Sequence, residues 1–245
     1  MNSKVTISIA GLALIGFLSI IGTIKTSSQT VQEKLARLQH AEDRGSLRWH
    51  AEVAKVKGQR QTVITSPPVE YASDLKTLEE ALPHFGIVVA EPITSISRAV
   101  NPDDLRMWYK FAILENLSQR PLPTCSTCGY PTDFPKELLP LESNEILIET
   151  YGGTVEIDGV KVSVVDGEFP QFKKNQKYVL FITTDPSHTV GLLRMGARSA
   201  YRVDSEGHIE CVGEQPHPFS ADIETRFNKS LDQLRVRIHS LSTTQ

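Results

Sequence analysis

The sequence predicts a mainly β domain, a small closed barrel or sandwich with flanking helices, preceded by an N-terminal transmembrane helix. Three observations predict it. Twenty residues from Val5 to Ile24 carry no charge. From Gly86 to Gly213, short apolar segments alternate with Gly-, Pro- and Asp-Gly-bearing turns. Near the C-terminus one apolar stripe recurs at helical spacing.

The first element is "VTISIAGLALIGFLSIIGTI", flanked by Lys4 and Lys25. As a helix it reaches roughly 30 Å, the thickness of bilayer hydrocarbon. A cleaved signal has a shorter apolar run and a small-x-small site, and Thr26 and Ser28 make a poor one. Residues 1–26 therefore read as an uncleaved anchor through the lipid bilayer, with the remainder outside the cytoplasm. Cleavage would make the chain secreted.

Residues 27–72 read as stalk and linker. Val31, Leu35 and Leu38 give an amphipathic helix that ends at Gly45. Leu47, Trp49, Ala51 and Val53 alternate, and with a Lys57-Gly58 turn before Val63 and Ile64 they predict a β-hairpin. Residues 73–245 read as the globular domain. It opens on a short helix capped by Ser73 or Asp74 and stopped by Pro83.

Strands follow at Gly86–Ile93, Met107–Leu117 and Asn144–Gly153. Around Asp158-Gly159, a pair suited to a type I′ turn, "TVEIDGVKVSVV" predicts a hairpin. Further strands are expected at Gln176–Asp185, in "VGLLRMG", and on both sides of a Ser205–Gly207 turn. Ile223, Phe227, Leu231, Leu234 and Ile238 form the last stripe, one helix capped by Ser220.

The stretches "FGIVVAEPI", "YKFAILENL", "EILIETYGG" and "FKKNQKYVLFI" come in an order that resembles an OB-type barrel, especially of the netrin and tissue-inhibitor-of-metalloproteinase kind. They also resemble exported bacterial proteins of unknown function. The resemblance spans roughly Asp74 to Gly213 and implies an OB-like closed barrel with a binding role. Inhibition of a metalloproteinase is not implied, because no cysteine precedes Cys125 to chelate a target's metal.

The chemistry-bearing stretch is "PLPTCSTCGYP", Pro121 to Pro131. A redox pair needs its first thiolate at a helix N-terminus in a βαβ unit, which is not visible here. Gly129 excludes covalent haem attachment, which needs His at that position. A loop disulfide between Cys125 and Cys128 suits an oxidising compartment and leaves Cys211 unpaired. The alternative is a zinc site of Cys125, Cys128, His208 and Cys211, with His217 as a replacement ligand.

The usual catalytic signatures are absent: no Gly-x-Ser-x-Gly elbow, His-Glu-x-x-His or phosphate-cradling Gly loop. Asp103 and Asp104 read as a turn, and Asn116 and Asn228 begin glycan-acceptor triplets. On an alternating strand Trp108 faces away from Tyr109 and Phe111. Those two suit the core, which leaves Trp108 as a surface contact.

With 40% hydrophobic and 22% charged residues and a net charge of -3, the chain has no Lys/Arg excess to track phosphates, so no nucleic-acid partner is expected. The expectation is a membrane-anchored, non-catalytic binding domain for an unknown protein or small-molecule ligand, without a cofactor. A metal- or thiol-dependent enzyme centred on Cys125, Cys128 and Cys211 is the alternative.

Overall fold

The computed structural model describes residues 30–66, 74–120, 122, 134–166, 171–184, 190–193, 195–213 and 217–242. The run Val5–Ile24 and the pair Cys125/Cys128 lie outside them. No helix among the described residues is long and apolar enough to cross a membrane.

Helix α1 covers residues 30–39. It is tied to α2 (Leu47–Val56) by the indole of Trp49, which donates to the Leu38 carbonyl at 2.6 Å. The hairpin expected over this stretch is a helix followed by one strand, β1 (Gln61–Ser66). Leu47, Ala51 and Ala54, at i, i+4 and i+7, are the buried set, and Ser46 Oγ caps the helix by accepting from the Trp49 amide. Gly58, at φ 71°, follows the helix where only a left-handed residue can reverse the chain.

Helix α3 (Leu78–Ala81) has Thr77 as its cap rather than Ser73 or Asp74. Thr77 and Glu80 form a reciprocal capping box. Strands β2 (Gly86–Ala99) and β3 (Leu105–Asn116) are both longer than expected and pair antiparallel, with register shifts at Val89/Ala90 and Pro92/Thr94. These irregularities bend β2, so that its first half pairs with β7 (Lys177–Thr184) and its second half runs alongside β5 (Gly153–Ile157).

Strand β4 (Glu145–Tyr151) reaches β5 through Gly152 and Gly153, both at positive φ. A Cβ on Gly152 would sit 2.7 Å from the Val164 carbonyl oxygen, so only glycine lets the chain change sheets here. Strand β6 (Val160–Asp166) returns through the expected turn, with Asp158 and Gly159 both at positive φ.

The smaller sheet has the order β1-β6-β5, with β1 and β6 parallel. Helix α2 packs on it through Leu47, Ala51 and Ala54 against Val160, Val162 and Val164. The larger sheet has the order β10-β9-β7-β2-β3-β4-β8, in which β8 is Val190–Leu192, β9 Ala200–Val203 and β10 Ile209–Cys211. A further pairing of β7 with β8 makes its bonding ring-like. That closure consists of two residue pairs, Thr183 with Leu192 and Thr184 with Gly191, too thin to make the sheet a barrel. Among the described residues the architecture is mixed α/β and strand-rich, 39% strand against 29% helix, so the mainly β expectation holds in its strand-richness and not in the closed barrel.

Both faces of the larger sheet are covered. One face gathers Tyr109, Phe111, Ile148, Phe172, Tyr178 and Leu180 in a single cluster. The other packs β2, β7, β9 and β10 against α3, α4 (Pro218–Arg226) and α5 (Leu231–Ser242). The expected single C-terminal helix is thus two. Asn228 and Lys229, both at positive φ, break it, and the cap of α4 is His217 with Pro218 at the first position. Trp108 is 1% exposed, packed with Phe134, Leu138, Leu147 and Val190, so it offers no surface contact. The segment 134–138 covers the face of β3 that alternation alone leaves open to solvent.

Candidate functional site

A cleft of about 610 Å³ lies between the β9–β10 edge and α4. Strand alternation and the tight turn after β9 bring Arg202 opposite Glu210, and their side chains form an ion pair. Asp204 holds that turn: its Oδ1 accepts from the amides of Glu206 and His208, each at 2.8 Å. The other wall is the first turns of α4, His217, Ser220 and Glu224, while Lys173 and Tyr178 line the end near β7.

Glu224 joins the two walls. Its Oε1 accepts from the Cys211 amide at 2.8 Å, and its Oε2 lies 3.7 Å from Lys229 Nζ. An edge strand leaves such amides unpaired, and here a helix side chain satisfies one. His217 Nδ1 accepts from the Phe219 amide at 3.1 Å, so the neutral ring carries its proton on Nε2. Burial, with Arg198 nearby, lowers the pKa of His217 and keeps it neutral. Tyr178 Oη accepts from the Lys173 amide at 2.9 Å.

Cys211 is half-buried, with Sγ 3.7 Å from the Ala197 carbonyl oxygen. Burial foremost, with the Glu224 carboxylate adding, pushes its thiol up to about 11. At neutral pH it is a thiol and not a nucleophilic thiolate. Behind it the Tyr201 hydroxyl is buried without a hydrogen-bond partner among the described residues, and burial raises its pKa well above the ordinary range.

Among the described residues this arrangement is polar and cationic: Lys173 makes no ion pair, while Arg202 pairs with Glu210 and Lys229 with Glu224. No family model, curated protein or solved structure matches the chain.

Of the metal set expected from the sequence, His208, Cys211 and His217 lie among the described residues. Ile209 and Cys211 turn to the side of β10 packed against α4, so strand alternation sends His208 to the other side. There His208 Nδ1 lies 3.0 Å from Asp204 Oδ2 and 3.6 Å from Glu206 Oε2. His208 is thus held by the Asp204 turn, on the side of β10 opposite Cys211. His217, the replacement ligand, has Nδ1 committed to capping α4. Cys125 and Cys128 lie outside the described residues, among which no three His, Cys, Asp or Glu side chains group to hold a metal.

Sequence reasoning missed Arg202, Glu224, Lys173 and Tyr178. The Arg202–Glu210 pair had a signal, since the two are equidistant from the centre of the predicted turn. Glu224 had none, because it reaches Cys211 across 13 residues through helix docking.

Proposed function

We propose that the chain is a membrane-anchored domain, held outside the cytoplasm by Val5–Ile24, that binds without catalysing, taking a small anionic ligand in the cleft between β10 and α4. The observation that carries this reading is the cleft's charge. Lys173 is without an ion pair among the described residues, and each cleft carboxylate is already engaged by a cation. A ligand carboxylate or phosphate would supply the missing charge. The thiol-dependent alternative has less support, since Cys211 is held protonated and His217 Nδ1 is occupied.

The ring-like bonding of β2-β3-β4-β8-β7 places the cleft at the β9–β10 edge that extends from it. Two measurements test the function. In a thermal-shift panel of small carboxylates, phosphate and sulfate, at least one anion raises the wild-type midpoint and leaves Lys173→Gln unmoved. Iodoacetamide labelling of Cys211, followed by peptide mass, is slow at pH 7 and rises about tenfold per pH unit. Rapid labelling at pH 7, saturating near pH 6–7, would return the thiol enzyme.

A further inference from the structure

A second cleft, about 410 Å³, lies between α1 and α2. Leu38, Ala51 and Val56 contribute its apolar part, and the exposed Lys34, Arg37 and Lys55 its cations. Two carboxylates also line it, Glu52 and Asp158. Glu52 is paired with Arg48 at 3.6 Å, and among the described residues neither carboxylate forms an ion pair with Lys34, Arg37 or Lys55.

The charge of the chain is segregated in the same sense. Residues 1–60 carry nine Lys and Arg against four Asp and Glu, whereas residues 61–245 carry 17 against 25. Arg44, Lys57 and Arg60 extend the basic surface around α2, all exposed and without ion pairs among the described residues.

We infer that the α1–α2 face docks on an anionic phospholipid surface, which would hold the domain against the membrane in one orientation. The inference rests on the anchor reading of Val5–Ile24. Residues 25–29 separate that run from α1, and five residues reach at most about 18 Å. A span ending at Ile24 therefore keeps α1 close to the headgroups, within one to two screening lengths of about 10 Å. Lipid phosphates complement the cations, while the acidic remainder is repelled from the same surface. The apolar cleft can take the upper part of an acyl chain or glycerol backbone beneath the phosphate.

The test uses the full chain reconstituted in phosphatidylcholine vesicles, with or without about one-third phosphatidylglycerol, and reads lysine acylation by peptide mass. Lys34, Lys55 and Lys57 should be acylated at least about fivefold more slowly on the anionic vesicles, while Lys173 and Lys177 are unchanged. The protection should vanish in about 1 M salt, where the screening length is about 3 Å. It should also vanish at Lys57 in the triple variant Lys34→Gln, Arg37→Gln, Lys55→Gln, whose changes are all at exposed positions. Equal acylation on both vesicle types, or protection that survives the salt, overturns the proposal. Equal protection by short duplex DNA on neutral vesicles overturns the lipid assignment. Alkaline carbonate extraction separates the two readings: release from neutral vesicles overturns the anchor, whereas a retained chain with equal acylation overturns only the basic face.

Discussion

The amide of Cys211 donates to Glu224 Oε1 at 2.8 Å, and this bond ties the edge strand of the larger sheet to α4 across the candidate cleft. It satisfies a backbone donor and sets the Glu224 carboxylate close enough to raise the thiol pKa of the same residue. Glu224→Ala should therefore have two effects. Loss of a partner for the amide costs about 1–3 kcal/mol in denaturant unfolding. Loss of the carboxylate lowers the Cys211 pKa and speeds its alkylation near pH 9. Unchanged stability and alkylation together would remove Glu224 from the site.

The two C-terminal helices distinguish Leu234 from Leu231. Leu234 and Ile238 are fully buried against β2, β7 and β9, whereas Leu231 is only partly covered at the start of α5. Leu234→Ala should cost about 2–5 kcal/mol, and Leu231→Ala clearly less. Equal losses would mean that the chain continues from α4 to α5 as one helix with both leucines on its inner stripe.

How far these elements were legible depends on which physical term decided each. Asp158-Gly159 and the strands around it are local, and their turn chemistry and alternation specify them without help. Between residues 47 and 56, alternation and helical periodicity share Leu47 and Ala51. The choice fell to Ala and Lys propensity and to the Ser46 cap, which favour helix. The break at Asn228-Lys229 is a backbone conformation that an uninterrupted apolar stripe conceals. Trp108 and Glu224 were not legible at all. One is buried by residues 134–138 and the other placed by helix docking, and both depend on contacts distant in sequence.

The change of sheet at Gly152 is open to a direct test. Its φ is +92°, and a Cβ would meet the Val164 carbonyl oxygen at 2.7 Å, so strain and clash act together. Gly152→Ala should cost at least about 1–3 kcal/mol. Gly159→Ala, at φ +79° with nothing within 4 Å, carries the strain alone and should cost less. Equal unfolding midpoints for the two variants would show that the Val164 contact relaxes.

Glu145 sets a dependence on acid. Its carboxylate lies 2.8 Å from Lys110 Nζ and accepts from the Glu142 amide at 2.8 Å. Burial acts to raise its pKa, but the Glu142 amide and the Lys110 ammonium outweigh it and hold the carboxyl below its ordinary value. A carboxyl with a lower pKa in the folded state binds fewer protons there than in the unfolded chain. Its stabilising contribution is thus complete above the unfolded value of about 4.3 and is lost as pH falls through the lower folded value. Glu145→Gln should be less stable than wild type at pH 7, and the gap should close progressively below about pH 4. The comparison needs only urea unfolding of both proteins at several pH values, with the Lys110→Met variant as a second probe of the pair. A gap that persists unchanged to pH 2.5, or that widens on acidification, would mean that Glu145 contributes through packing and that its charge does not stabilise the β3–β4 ladder.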